Sequence, residues 1–447
     1  MASSRLTLIG NQPRLHRPLN VPAEPRPREP MSTDSVQSRR LTIGVPRALD
    51  YYAHFPLVRE LLVGLGFDYV VSEPTNRAVV DAGTSYTVSD ACIPVKIFHG
   101  HVESLFGRCD ALYLPRLVKL RRLKHDGRSF RETFCPKFIG LPDIVRNSMG
   151  LETIEQLGPA ARARRALRRR LRLREGEVAP GVRELPVVQR GQGGPGLDTD
   201  RPIVLDIDID LTKRLGTLYR VANQLRRLRF FSYPRLYLTY RRALRVQRRY
   251  ENLLGAGLSP REVLAVIDGA ERPERPPTPR GPLAVVGYPY LLYDRFLAAG
   301  VVERFTKRGY DVWTPWRLWK DKRALALGAR VKSRPLFWHF SNIVCDAGLY
   351  LMRYGLTPEQ LAGERLSRRG YLYRLARKRP GAHDTPIRGL VHVTSATCGP
   401  DAFVGKYLEL TAKRLDIPLM VLQVDEQSGE AGVLTRLEAF CDMLERR

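Results

Sequence analysis

Ile43-Gly44-Val45-Pro46 closes a short apolar run, and Val286-Gly287-Tyr288-Pro289 repeats this pattern in the second half of the chain. In both places a helix-like stretch follows, and Gly66 or Gly309 then leads into a second apolar run. The two glycines of each copy are 22 residues apart. A strand, a helix and a second strand in this order are typical of a parallel sheet covered by helices. The repeat therefore predicts an α/β chain with two similar lobes and a ligand site between them, at the carboxyl ends of the strands.

Composition divides the rest of the chain around these two lobes. We expect a disordered extension over residues 1–40, a first α/β lobe over 41–157, a mobile insertion rich in Arg, Gly and Pro over 158–201, a helical segment over 202–271, a Pro-rich linker over 272–282 and a second α/β lobe over 283–447. The first forty residues lack the apolar region of a secretory signal. No apolar run is long enough to span a membrane. These features predict a cytoplasmic protein without membrane contact.

The formal net charge of +28 favours anionic partners. However, arginine greatly outnumbers lysine, which genome composition alone can produce, and the densest basic run lies in the low-complexity insertion. A basic nucleic-acid-binding protein is therefore the least favoured of the function classes that we consider, and nucleic acid is an unlikely partner.

Three of the six cysteines lie close to a proline. Cys92 and Cys398 each lie two residues before a proline where a helix is predicted to begin, and Cys135 lies directly before a proline in a loop-like stretch. Proline is tolerated in the first helical turn, and the N–H groups and dipole at that end favour a thiolate. These three cysteines are the candidate ligands, whereas Cys109, Cys345 and Cys441 are interpreted as packed in the core.

Three thiolates from separate segments suit an iron–sulfur cluster better than a structural zinc ion. A four-iron cubane with three protein ligands keeps one iron open to substrate or water. A zinc ion with three cysteines would need a fourth ligand, from His99, His101 or His392. A Cys–His nucleophile pair is a further alternative, although no spacing supports it.

Charged residues near these segments are candidates for other roles. Glu426 and Glu430 surround a glycine-flanked turn after a predicted strand, and they could transfer protons or supply an extra iron ligand. The alternative is a solvated acidic face. Four basic residues could bind anionic groups such as the phosphates of an acyl-coenzyme A, or could be ordinary surface charges: Arg47, Lys96, Lys137 and Lys406.

With these residues assembled, the chain resembles the acyl-CoA dehydratase activase-related proteins, also called CoA-substrate-specific enzyme activase proteins. They belong to the wider superfamily of 2-hydroxyacyl-CoA dehydratase subunits. The matching segments are Ile43-Gly44-Val45-Pro46-Arg47-Ala48 with Tyr51-Tyr52, Asp90-Ala91-Cys92-Ile93-Pro94-Val95-Lys96 with His99-Gly100-His101, Cys135-Pro136-Lys137, Gly287-Tyr288-Pro289-Tyr290 with Tyr293-Asp294, Cys398-Gly399-Pro400-Asp401, and Asp425-Glu426 to Thr435-Arg436-Leu437-Glu438-Ala439-Phe440.

The resemblance implies two Rossmann- or flavodoxin-like lobes with helical additions, which together hold a [4Fe-4S] cluster or a double-cubane variant. In dehydratase subunits of this superfamily two cysteine ligands come from the first lobe and one from the second. Cys92, Cys135 and Cys398 match that arrangement.

The resemblance also implies a function. In the superfamily an ATP-hydrolysing activator delivers a low-potential electron, and the cluster passes it to an acyl-CoA thioester, whose ketyl radical eliminates water. We therefore expect a lyase or a reductase component with a separate activator, an acyl-CoA ligand and a second dehydratase-like subunit. The alternative is a non-catalytic scaffold or electron-carrier subunit. The ATPase domain fused to many activase-related proteins is not visible in this sequence, and the Arg-rich insertion has no evident counterpart.

Overall fold

The repeated segment at Ile43 lies in the first of two sheets. The computed structural model describes residues 40–125, 128–154, 156, 201–332, 334–376 and 384–447. The strands of the first sheet are β1 (Thr42–Val45), β2 (Asp68–Val71), β3 (Ala111–His125), β4 (Arg128–Thr133) and β5 (Ile203–Asp210). β1 lies between β2 and β3, and β3 also pairs with β5, all in parallel. β4 is antiparallel to β3, so this sheet is mixed.

The second sheet is built around the repeat of the Ile43 segment and is parallel throughout. Its strands, in spatial order, are β7 (Asp311–Trp313), β6 (Pro282–Gly287), β8 (Leu390–Ser395) and β9 (Leu419–Val424). Every residue of β6 is buried, as expected for a parallel strand whose two faces are both covered by helices. Two parallel-strand sheets with helices confirm the predicted α/β class with Rossmann- or flavodoxin-like lobes.

The 22-residue spacing of the repeat has a simple structural cause. Helix α1 (Tyr51–Leu65) follows β1 and ends at Gly66, whose φ is +89°. In the second lobe Gly309 has a φ of +86° just before β7. Glycine is favoured at both positions because a residue with a side chain is strained in the left-handed region.

Further helices of the first lobe lie between and after its strands. They are α2 (Arg77–Ser85), α3 (Ile93–Glu103), α4 (Pro136–Ile139) and α5 (Leu141–Met149). α2 and α3 approach closely because each contributes a glycine to the contact. A Cβ on Gly83 would lie 1.8 Å from the carbonyl oxygen of Lys96, and one on Gly100 would lie 1.8 Å from that of Val79.

The segment predicted as helical over 202–271 begins with a strand instead. Residues 203–210 form β5, which extends the first sheet beside β3. Over residues 205–210 leucine or isoleucine alternates with aspartate, and this period of two fits a strand. The rest of the segment is helical: a short 3₁₀ turn (Leu211–Lys213), α6 (Arg214–Leu228), α7 (Tyr233–Gly255) and α8 (Pro260–Ile267).

The remaining described helices belong to the second lobe. These are α9 (Pro289–Leu292), α10 (Val301–Lys307), α11 (Pro315–Leu318), α12 (Lys322–Ala329), α13 (His339–Tyr354), α14 (Pro358–Leu361), α15 (Arg368–Ala376), α16 (Gly399–Leu415) and α17 (Glu430–Glu445). Cys345 on α13 and Cys441 on α17 are buried, as is Cys109 before β3.

A large apolar cluster among the described residues joins the lobes. It includes Phe98 and Val102 of α3 together with Val285 of β6 and Val393 of β8. Residues 40–447 accordingly belong to one compact unit. The predicted extension and insertion lie outside the described residues, apart from Arg40 and Arg201. Among the helices of the described residues, none combines the length and the apolar character that crossing a bilayer requires.

Candidate functional site

Each of the three candidate cysteines is the residue that precedes a helix. Cys92 caps α3, Cys135 caps α4 and Cys398 caps α16, and a proline lies in the first turn of each helix. A cap residue has extended backbone, and a proline in the first turn removes an N–H that has no helical partner. The cysteine–proline pattern thus predicted the starts of α3 and α16 correctly, whereas α4 begins in a stretch that was interpreted as a loop.

The three cysteines line the same pocket between the lobes. Cys398 follows β8 at its carboxyl end, whereas Cys135 follows the antiparallel strand β4. The other residues around this pocket are mainly apolar or aromatic: Leu49, Pro94, Val95, Phe134, Lys137, Phe138, Tyr288, Tyr290, Trp338, His339, Phe340, Ser341, Ser395 and Pro400. The cysteines are half-buried there, so sulfurs that are distant in sequence face one sheltered space.

Burial governs the ionisation of two of these thiols. It raises the pKa of Cys92, although Lys137 and the backbone N–H of Val95 act in the opposite direction. Burial and the neighbouring Asp401 raise the pKa of Cys398 strongly, against the backbone N–H of Asp401. The backbone N–H groups at these helix starts favour the thiolates as expected, but burial outweighs them in the chain without a bound metal. Coordination by a metal would deprotonate the thiols.

The described residues contain no group of three or more His, Cys, Asp or Glu side chains arranged to hold a metal ion. The three histidines considered as zinc ligands bond elsewhere and do not line the pocket. Nδ1 of His99 lies 2.8 Å from the Val95 carbonyl oxygen, Nε2 of His101 lies 3.0 Å from Thr75 Oγ1, and Nε2 of His392 lies 3.2 Å from Asp401 Oδ1. A mononuclear zinc site thus gains no support.

Lys96 and Glu426, predicted separately as anion-binding and catalytic residues, contact each other. The Lys96 ammonium, 1% exposed on α3, donates to Glu426 Oε1 at 2.7 Å across the two lobes. This hydrogen bond lowers the pKa of Glu426. The pair links the loop after β9 to the helix that Cys92 caps.

The other candidate charges lie in different surroundings. Glu430 begins α17, is largely exposed and pairs with Arg304 of α10. Arg47 bonds through its Nε to the Ser72 carbonyl oxygen at 3.0 Å. Lys137 lines the cysteine pocket and donates to the Asp90 carbonyl oxygen at 3.3 Å. Lys406, which pairs with Glu409, is exposed.

The aromatic wall of the pocket had no clear signal in the sequence. Phe134 stacks on Phe138, and Phe138 contacts Tyr290, with ring centroids 5.7 Å apart in both pairs. Tyr288 also hydrogen-bonds Ser341 through its hydroxyl at 2.8 Å. Tyr288 and Tyr290 follow the repeated Gly287, and Phe134 and Phe138 flank the Cys135-Pro136-Lys137 motif. These motifs indicated the cysteines and the repeat, but they did not indicate that the rings would meet.

Residues 42–181 match the model of a family described as the CoA enzyme activase uncharacterised domain (DUF2229). The first lobe therefore contains a CoA enzyme activase-related domain. No curated protein matches it significantly. The resemblance expected from the sequence motifs is thereby confirmed at the level of this family.

The match places part of the pocket within the activase-related domain. Cys92, Cys135, Lys96 and Lys137 lie within the matched residues, whereas Cys398 and Glu426 lie beyond them. The activase-related chain therefore builds this pocket from its matched domain and from its second lobe together.

Proposed function

We propose that this activase-related chain is an iron–sulfur protein that holds a [4Fe-4S] cluster on Cys92, Cys135 and Cys398. It takes part in ATP-coupled low-potential electron transfer to, or radical dehydration of, acyl-CoA substrates. The observation that carries the proposal is the convergence of three helix-capping cysteines on one pocket. The match to a CoA enzyme activase domain supports the CoA-linked part.

The chemistry of the pocket fits such a cluster. A cubane has more than one iron, so its cysteine ligands need not converge on a single point as the ligands of one ion do. The backbone N–H groups of Val95 and Asp401 interact with the sulfurs of Cys92 and Cys398. Hydrogen bonds of this kind and an apolar surrounding set the potential of iron–sulfur centres. When bound, the cluster would supply one-electron chemistry at an iron that no cysteine occupies.

The residues of the chain would hold and shield this centre. Phe134, Phe138 and Tyr290 exclude water from one side of the pocket, and Lys137 offers a positive charge at the pocket to an anionic ligand. Among the predicted anion-binding residues, Lys137 is the best placed because it lines the pocket itself. Lys96 is already neutralised by Glu426.

Anaerobic reconstitution with ferrous iron and sulfide tests the proposal. We expect roughly four irons per chain in the unaltered protein, and loss of most of that iron in Cys92→Ser, Cys135→Ser and Cys398→Ser. Cys441→Ser is the matched control because Cys441 is buried in α17 and does not line the pocket. A colourless wild-type chain, or variants that all retain iron, would contradict the proposal.

A second candidate, an electron-carrier subunit without its own substrate chemistry, is favoured by the surroundings of the predicted catalytic carboxylates. Glu426 is paired with Lys96, and Glu430 with Arg304. Both carboxylates are therefore engaged in ion pairs, and neither serves as a proton-transfer group in the pocket. Mixing the loaded chain with a 2-hydroxyacyl-CoA, ATP and an activator protein separates the candidates. A carrier would be reduced without forming an enoyl-CoA, whereas an enzyme would form one.

A further inference from the structure

A buried carboxylate–imidazole pair lies beside the cysteine pocket and is not used by the proposed function. His339 begins α13 and lines the pocket. Its Nδ1 lies 2.8 Å from Oε2 of Glu132, a residue of β4 that is 1% exposed. Because an ionised carboxylate can only accept, Nδ1 of His339 carries the proton and donates a hydrogen bond to Glu132.

A second layer of buried residues fixes this pair. Asn342, one turn further along α13, donates from Nδ2 to Glu132 Oε1 at 2.9 Å. Its Oδ1 in turn accepts from the buried Lys332 at 2.9 Å, and Lys332 also pairs with Asp346 at 2.5 Å. The orientation of Glu132 is therefore determined from both sides, and with it the orientation of the His339 ring.

Burying these charged groups costs free energy, and the packing of the side chains alone does not explain why they are buried. Several ionisable groups are removed from water where apolar side chains would be at least as stable. Imidazoles oriented by a carboxylate on one nitrogen commonly act through the other nitrogen. In His339 that other atom is Nε2, on a ring whose residue contributes to the pocket wall.

We propose that Nε2 of His339 donates a hydrogen bond to the group held by Cys92, Cys135 and Cys398, and that Glu132 is the positioning residue. The inference rests on the proposed function. With Nδ1 bonded to Glu132, a proton on Nε2 makes the ring an imidazolium, which the carboxylate stabilises. A cationic donor stabilises the cluster more in its reduced state than in its oxidised state, so it raises the reduction potential.

The test is a redox titration of the reconstituted full chain, followed by electron paramagnetic resonance. We expect His339→Gln and Glu132→Gln to bind as much iron as the wild type. The equilibrium constant for one-electron reduction should fall about tenfold in His339→Gln, a shift of about 59 mV to lower potential. Glu132→Gln should shift in the same direction. His54→Gln is the control, since His54 bonds to Asp50 at 2.6 Å in a similar pair that does not line the cysteine pocket.

The outcomes separate the two proposals. A loaded His339→Gln chain with an unshifted potential overturns the inference and leaves the proposed function intact. A wild-type chain that binds no cluster overturns both. If His339→Gln does not load, Glu132→Gln decides: a lowered potential supports the role of the pair, and an unchanged one overturns it.

Discussion

Lys96 lies one turn beyond Cys92 on α3, and its ammonium group is almost completely buried. A buried charge is tolerated when it is paired and hydrogen-bonded, and Glu426 supplies both interactions. Removing the negative partner leaves the ammonium without compensation, which costs more than the pair itself contributes.

We therefore predict that Glu426→Gln lowers the free energy of unfolding by about 2 kcal/mol, as measured by urea denaturation. Glu430→Gln is the control. Its ion pair with Arg304 is largely exposed, and exposed pairs contribute about 0–1 kcal/mol. Equal losses in the two variants would contradict the role assigned to burial.

His101 gives a pH prediction. Burial lowers its pKa to about 3, and among the described residues its Nδ1 has no hydrogen-bond partner. In the unfolded chain His101 takes up a proton near pH 6.5, the ordinary pKa of histidine, while in the folded chain its ring stays neutral. The contribution to stability is therefore complete above that pH and is lost progressively as the pH falls toward 3.

We expect His101→Gln to flatten the decrease in unfolding free energy between about pH 6.5 and pH 4, as followed by urea titrations at several pH values. The matched comparison is His54→Gln. Asp50 raises the pKa of His54 despite its burial, so this variant should not flatten the decrease. If His101→Gln left the slope of the unfolding free energy against pH unchanged, groups other than His101 would control that slope.

At the scale of elements, the contact between α2 and α3 positions the helix that Cys92 caps. Gly83→Ala would bring a methyl group within 1.8 Å of the Lys96 carbonyl oxygen, so the two helices would have to separate. We predict a loss of about 3 kcal/mol in unfolding free energy and a lower iron content after reconstitution.

Gly432→Ala is the control for this substitution. Gly432 lies in α17, and an added Cβ there would meet no atom within 4 Å. Alanine favours a helix over glycine by about 1 kcal/mol, so the control should be neutral or slightly stabilising. If Gly83→Ala behaved in the same way, the close packing of α2 on α3 would be contradicted.

Elements with a local signal could be predicted from the sequence. The starts of α3 and α16 followed from the cysteine–proline pattern, and the β1–α1–β2 unit from its glycine and apolar spacing. The antiparallel strand β4 was missed although Asp126-Gly127, a common hairpin signal, stands between β3 and β4 in the sequence. β5 was missed because it lies between the low-complexity insertion and a long helical stretch, and it was assigned to the helical segment.

The pocket could be predicted only in part, because its wall depends on tertiary contacts. The three cysteines were identified from local motifs. Glu132 and His339 are 207 residues apart and meet only after β4 and α13 have packed together. Similarly, no local pattern could show that Lys96 and Glu426 neutralise each other. The sequence identified Lys96 and Glu426 but not their pairing, and it identified neither Glu132 nor His339.

At the scale of the whole molecule, the lobes are joined by polar as well as apolar contacts. Asp294 of the second lobe accepts from Tyr52 at 3.3 Å and from Thr75, both in the first lobe. Its burial raises its pKa, against the hydrogen bonds from its neighbours. Together with the shared core, these contacts predict that the lobes unfold in one cooperative transition.

The four tryptophans allow a direct test, because all of them lie in the second lobe. Phe98→Ala removes a buried ring from the first lobe and should lower the unfolding free energy by about 3–5 kcal/mol. We expect the unfolding transition followed by tryptophan fluorescence to show the whole of this loss. Its midpoint should equal that of the transition followed by far-ultraviolet circular dichroism. An unshifted fluorescence transition would mean that the lobes unfold independently.

X-ray absorption at the iron edge of the reconstituted chain tests the central claim most directly. The account predicts that iron has sulfur neighbours and, at a longer distance, other iron atoms, and that both signals disappear when Cys92, Cys135 and Cys398 are replaced together by serine. Iron surrounded only by nitrogen and oxygen, with no iron neighbour, would contradict a cluster held between the two lobes.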